Sequence, residues 1–211
     1  LATGIPFFKS NPVDMALYIN AVSFLYSALV IAKLQIPKVS VEKSEAQIGI
    51  LRSLFDGWKF VGKSKNIRGL VLGMLGAFIA AGAVIGLART FVGDLGGGDA
   101  AYGILFGAVF TGLALGIAFG PKIFAQFSRK RLFGAALSMS GIMLAILALI
   151  SNLVLAIFIV IILGFFAGIG WVSGFTMLGL EVEDSKRGRT FAFVQSLIRI
   201  TLVLVLAVAP I

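Results

Sequence analysis

The sequence predicts an all-α, polytopic membrane protein with six membrane-spanning helices, and three observations carry that prediction. Of the 211 residues, 59% are hydrophobic and 13% charged, and the mean hydropathy is +1.07, a balance foreign to water-soluble domains. Apolar residues fall into six runs of about 20, the length that crosses a bilayer core at about 1.5 Å per residue. The Lys and Arg gather in the short intervals between those runs, at alternate joints.

The same composition excludes several functions. A formal charge of +9 would suit nucleic acid if the basic residues shared one folded surface, but they are dispersed between apolar runs, so the expected partner is the lipid bilayer and not nucleic acid. The chain has no Cys and no His, which removes disulfides, thiolate metal sites and imidazole proton relays. No cofactor and no metal is expected, and an enzyme is the least favoured class.

The first span runs from about Val13 to Gln35, after a polar lead in which Asn11 or Asp14 suits a helix cap and Pro12 the first turn; Pro37 marks its stop. The second, about Ile67 to Phe91, is rich in small residues, Gly73, Gly76, Gly82 and Gly86 among them, which permit close helix approach in lipid. A turn reading GDLGGGD follows. The third, about Ala101 to Phe119, carries Gly103, Gly107, Gly112 and Gly116 and ends at Gly120-Pro121. After a basic loop with Lys122, Arg129, Lys130 and Arg131, the fourth span, about Leu132 to Ile150, is separated from the fifth, about Leu153 to Leu180, only by Ser151-Asn152, which demands an antiparallel hairpin. A loop Glu181 to Arg189 leads to the sixth, about Thr190 to Pro210. The glycines are read as packing positions, since no Gly-Lys-Ser/Thr phosphate loop accompanies them.

The polar interval from Pro37 to Arg68 is the longest between spans. Within it Ile48, Leu51, Phe55, Trp58 and Val61 recur at spacings of three and four, the pattern of an amphipathic helix lying in the membrane interface with Trp58 at headgroup depth. Placing this interval in the cytoplasm puts fifteen of the 18 basic residues on that side, all but Lys9, Arg89 and Arg199. The chain opens on Leu1, shows no signal-peptide pattern and closes on the apolar LVLVLAVAPI, so it reads as a piece of a longer polypeptide.

One span, a long basic connector and a further bundle of spans resembles the middle of a major facilitator superfamily transporter, a fold of two six-helix halves. Three stretches carry the likeness. LRSLFDGWKFVGKSKNIRGLVLG resembles the entry to helix 7 of bacterial efflux-type members. GPKIFAQFSRKR stands where the family repeats its Gly-x-x-x-Asp-Arg-x-Gly-Arg-Arg motif; the basic end survives as Arg129-Lys130-Arg131, whereas Ala125 replaces the aspartate and Ser128 the glycine, a degenerate copy. EVEDSKRGRTFAFVQSLIRI resembles the loop between helices 10 and 11, closest to the transporter domain of actinobacterial transporter–thymidylate kinase fusions. The resemblance implies that residues 1–36 are the last helix of an N-terminal half, 37–66 the cytosolic linker, and 67–211 a C-terminal half truncated before its last helix, so that the chain comprises helices 6 to 11. The remaining N-terminal half of the same polypeptide is then a partner, and the expected location is a bacterial cytoplasmic membrane.

Candidate substrate contacts are Arg199, Gln195, Trp171 and Asn20. Arg199 sits about ten residues, or about 15 Å, beyond Thr190, where a guanidinium costs at least about 2.5–3.5 kcal/mol unless it faces a polar cavity or partner; Gln195 lies one turn earlier on the same face. A substrate contact and a side chain that snorkels to the inner surface are both compatible with that position. Trp171, with Ser173 and Thr176 nearby, suits an aromatic wall or plain helix packing. Asn20, Ser23 and Tyr26 suit a cavity or interhelical hydrogen bonds. Candidate gating residues are Arg89, either an outer gate or a partner of Asp94, and Glu181, Arg187, Arg189, Arg129 and Arg131, which would latch two cytoplasmic loops or merely set topology. No carboxylate lies inside a span.

Two functions follow. The first is a secondary transporter, exporting a small molecule by alternating access. The second is a transport-inactive membrane domain that anchors or regulates a fused or partner enzyme such as a nucleotide kinase.

Overall fold

The computed structural model describes residues 12–34, 58–59, 61–62 and 64–209, and the chain divides into two units, Leu1–Gln47 and Ile48–Ile211. Every regular element among the described residues is helical, and six helices are long and apolar enough to cross a membrane.

The first unit contributes α1, Pro12–Ala32. It is apolar on all sides, and its described side chains are exposed throughout, from Met15 to Leu34. An all-round apolar surface suits a helix whose surroundings are lipid or other helices, not water. The helix tightens at its end, where Lys33 N donates to Val30 O at 3.2 Å and Leu34 N to Ile31 O at 3.0 Å. Gln35 and the Pro37 stop lie outside the described residues.

The second unit holds α2 (Lys65–Asp94), α3 (Asp99–Ile123), α4 (Arg129–Leu147), α5 (Leu153–Glu181) and α6 (Asp184–Val208). Two of the joints are fixed by side-chain caps. Ser64 Oγ accepts from Ile67 N at 3.5 Å, and Asn152 Oδ1 accepts from Leu155 N at 3.1 Å, so the tight hairpin between α4 and α5 is built on a helix cap. The α2–α3 turn closes with Gly97 N donating to Val92 O at 2.9 Å, and Gly96 stands at φ 74, a left-handed conformation that glycine adopts without strain.

Three boundaries depart from the sequence expectation. The helix α3 passes through Pro121 and ends at Ile123. Proline in a final turn removes one backbone bond, and Phe124 N still reaches Gly120 O at 3.0 Å. The helix α4 starts at Arg129, so the basic triplet forms its first turn. The expected loop from Glu181 to Arg189 is mostly helix: α5 runs to Glu181 and α6 begins at Asp184. Val182, 2% exposed, plugs into the core and pins this short corner, and Asp184 suits the positive end of the α6 dipole.

The most extensive interface joins α3 to α5. A Cβ at Gly112 or Gly116 would collide with the backbone at Ile161 or Phe165, and one at Gly164 or Gly168 would collide with the carbonyls of Val109 and Leu113. Four glycines from two helices thus bring the backbones together, the small-residue packing that lipid favours. Gly103 and Gly107, of the same sequence series, face open space; only the inner half of the stripe is a packing surface. Helices α2 and α6 pair differently, with Gly82 receiving Val205 and Gly86 receiving Ala209.

Buried side chains form two clusters. One, at the basic ends of the helices, includes Ile67, Leu70, Met74, Phe133, Leu178 and Val194; the other, near the opposite ends, includes Val92, Leu105, Leu147 and Val160. Val61 joins the first cluster at 8% exposure, and Trp58 meets Phe193 edge-on with ring centroids 6.3 Å apart. The C-terminal end of the connector's apolar face therefore packs on protein. Ile48, Leu51 and Phe55 lie outside the described residues.

Candidate functional site

The α5 sequence divides its duties by face. Gly164 and Gly168 point into α3, and just beyond Gly170 the chain places Trp171 and Phe175, four apart and so stacked on one side of the helix. Their ring centroids are 5.2 Å apart. Phe78 of α2 meets Trp171 in an edge contact at 5.4 Å and 63°, and Phe191 of α6 meets Phe175 at 6.1 Å. The result is a row, Phe78–Trp171–Phe175–Phe191, that ties three helices together through tilted and edge-on contacts, each worth about 0.5–1.5 kcal/mol beyond its buried area.

This row is only partly covered. Trp171 keeps 45% of its surface exposed, and its indole N–H has no hydrogen-bond partner among the described residues. It sits ten residues, or about 15 Å, inside the end of α5 at Glu181. A large aromatic surface with a free donor at that depth can stack on a planar group and donate one hydrogen bond to it. Ser173, in contrast, is buried, and Thr176 is exposed.

The helix α6 extends the site. Gln195 lies one turn beyond Phe191 and is half-buried; Arg199, one turn further, is exposed. Neither makes a hydrogen bond or ion pair among the described residues. Because α6 begins at Asp184, Arg199 stands fifteen residues, or about 22 Å, from the helix start, and nine residues, or about 14 Å, before Val208. The sequence estimate placed it about 15 Å beyond Thr190, where the apolar run begins; the charged first turns of α6 lie outside that run and leave this depth unchanged.

The remaining candidates are dispersed. Asn20 is on α1, in the other unit, with an exposed side chain; its carbonyl accepts from Ser23 Oγ at 2.7 Å, and Ser27 Oγ turns back to Ser23 O at 2.9 Å. Arg89 pairs with Asp99, not with Asp94: Nη2 donates to Oδ1 at 2.9 Å across the α2–α3 turn, with both side chains mostly exposed. On the basic side, Arg187 bonds Asp184 at 2.6 Å within the first turn of α6. Glu181, Arg129 and Arg131 are exposed, and no ion pair joins Glu181 to either arginine among the described residues. Arg189 is half-buried at the same end.

Sequence reasoning named Trp171, Gln195 and Arg199 as candidates but not their neighbours Phe78, Phe175 and Phe191. The four-residue spacing of Trp171 and Phe175 is a legible signal; the contributions of α2 and α6 need the tertiary pairing. The acidic residues of the described helices stand at or near helix ends, so Arg199 is the ionisable group placed deepest. No curated protein and no solved structure matches the chain. Residues 12–199 match the model of the transmembrane secretion effectors of the major facilitator superfamily. That match takes in α1 to α5 and α6 as far as Arg199, and the chain belongs to that family.

Proposed function

We propose that the protein is a secondary transporter of a bacterial cytoplasmic membrane that exports a small molecule by alternating access. The observation that carries the reading is family membership over residues 12–199; the aromatic row with its free indole donor, and the guanidinium of Arg199 two turns beyond Phe191 on α6, offer groups for cargo. In this reading the chain corresponds to helices 6 to 11 of a twelve-helix transporter, and the aromatic row lines one wall of the central path.

The chemistry of that wall constrains the cargo. Trp171 and its neighbours favour a planar or apolar body, and Arg199 with Gln195 favours an anionic or acceptor-rich group. An unpaired arginine in the bilayer interior is costly; an anionic substrate offsets that cost while bound and restores it on release, which favours turnover over trapping. Among the described residues carboxylates stand only near the helix ends, and none is a buried acid for proton coupling.

The test uses inside-out membrane vesicles from cells producing the full-length protein, energised and supplied with anilinonaphthalene sulfonate or with the lipophilic cation ethidium. Uptake of the sulfonate above that of vesicles lacking the protein is the expected result. Energy-dependent uptake of ethidium alone would overturn the anionic assignment, and uptake of neither, extended to the cells' own exported metabolites, would overturn the transport reading.

A further inference from the structure

A cleft of about 310 Å³ opens where the basic ends of α2, α4 and α5 meet, lined by Lys65, Asn66, Gly69, Leu70, Lys130, Phe133 and Met177. Its two halves differ in chemistry. Lys65, Asn66 and Lys130 are exposed, whereas Leu70 and Phe133 are 4% and 8% exposed and belong to the packed core. The ring of Phe133 is clamped between two glycines: a Cβ at Gly73 or at Gly174 would stand 3.0 Å from it. The floor is therefore rigid and apolar, and the rim is cationic.

Among the described residues nothing in the cleft balances that charge. Neither Lys65 nor Lys130 makes an ion pair among the described residues, and none of those that line the space is a carboxylate. The first turns of α2 and α4 contain no acidic residue and carry Lys65, Arg68, Arg129, Lys130 and Arg131 instead. Cations at a helix start oppose the helix dipole, so both helices would gain from an anion held between them. The cleft also lies at the face where the positive-inside rule places the cytoplasmic leaflet, whose lipids bear negative headgroups.

The geometry points to a binding site for an anionic phospholipid. Its headgroup phosphate lies between Lys65 and Lys130 with Asn66 donating, and the start of its acyl region rests against Leu70, Phe133 and Met177. Lysine supplies compact, strongly hydrated charges suited to a phosphate that remains partly wet. A volume of about 310 Å³ encloses a headgroup but not the acyl chains, which stay in the bilayer. A lipid so placed bridges the starts of two helices that meet at Phe133. The site is independent of the cargo and stands whether or not the protein transports an anion.

The test is lipid retention by the full-length protein, purified from nanodiscs of equal phosphatidylglycerol and phosphatidylcholine content and read by native mass spectrometry. The wild type is expected to retain phosphatidylglycerol in preference. Lys65→Gln with Lys130→Gln is expected to reduce that preference about tenfold; Lys122→Gln, outside the cleft, leaves it unchanged; and Lys65→Arg with Lys130→Arg preserves most of it, which separates loss of charge from misfolding. Equal loss in the Lys122→Gln variant would show only general surface attraction and overturn the site. Displacement of the lipid by millimolar inorganic phosphate would assign the cleft to a free anion and overturn the lipid.

Discussion

The two sides of α5 are built on opposite rules. Toward α3, Gly164 and Gly168 interlock with Gly112 and Gly116 until backbone meets backbone, leaving no room for a methyl group. Toward α2 and α6, Trp171 and Phe175 hold their neighbours through ring edges and leave 45% of Trp171 uncovered. A glycine seam has one geometry, because its contacts are main chain and cannot re-pack. An aromatic row can shift by a ring rotation at modest cost. One helix thus carries both a fixed packing surface and an adaptable one.

The comparison breaks most readily at the seam. Gly116→Leu or Gly164→Leu is expected to cost at least about 3 kcal/mol, seen as loss of the monodisperse fraction on size-exclusion chromatography. Gly107→Leu, on the same helix but facing open space, is expected to behave as wild type. Equal damage from all three would dissolve the distinction between seam and open face. Phe133→Ala, which empties the slot between Gly73 and Gly174, is expected to lower stability by about 2 kcal/mol, less than the about 3–5 of soluble cores because lipid replaces water as the reference; thermal unfolding in detergent checks this.

On the working side, effects move from folding to function. Trp171→Ala is expected to reduce transport about tenfold with little change in melting temperature, and Trp171→Phe to recover part of it, since stacking survives while the indole donor is lost. The smallest effect belongs to the exposed pair at the α2–α3 turn: Arg89→Ala is expected to cost less than about 1 kcal/mol, and a double-mutant cycle with Asp99→Ala measures the coupling. Charge reversal at Glu181, alone and combined with reversal of Arg129 and Arg131, tests the cytoplasmic latch; rescue of transport by the combination is the outcome that supports it.

Much of this was legible in the sequence because lipid imposes a simple grammar. Apolar run length located six spans to within a few residues at most ends, and Ser151-Asn152 announced the α4–α5 hairpin before the Asn152 cap was seen. The misplaced boundaries share a cause. Charged or helix-breaking residues, Pro121, the Arg129 triplet and the Asp184–Arg189 stretch, read as loop, yet helices continue past the apolar zone for a turn or more where water and headgroups tolerate charge. The site was half legible. A guanidinium in an apolar run is conspicuous at any position, and so is a tryptophan; but Phe78 and Phe191 look like ordinary core residues until α2 and α6 are brought beside α5. The glycine stripe of α3 misled in the same way, since spacing alone does not reveal that Gly103 and Gly107 face outward while Gly112 and Gly116 are sealed. The basic cleft was invisible because its parts are 65 residues apart in the chain, at Lys65 and Lys130.

The central claim is that the α2–α5–α6 face carries cargo and that Arg199 is its charged contact. The most direct measurement is energised uptake of anilinonaphthalene sulfonate by vesicles containing Arg199→Ala, with membrane insertion and melting temperature measured on the same preparation. Normal insertion and stability with transport reduced to background, and partial recovery in Arg199→Lys, is the predicted result. Wild-type transport by a correctly inserted Arg199→Ala protein would contradict it.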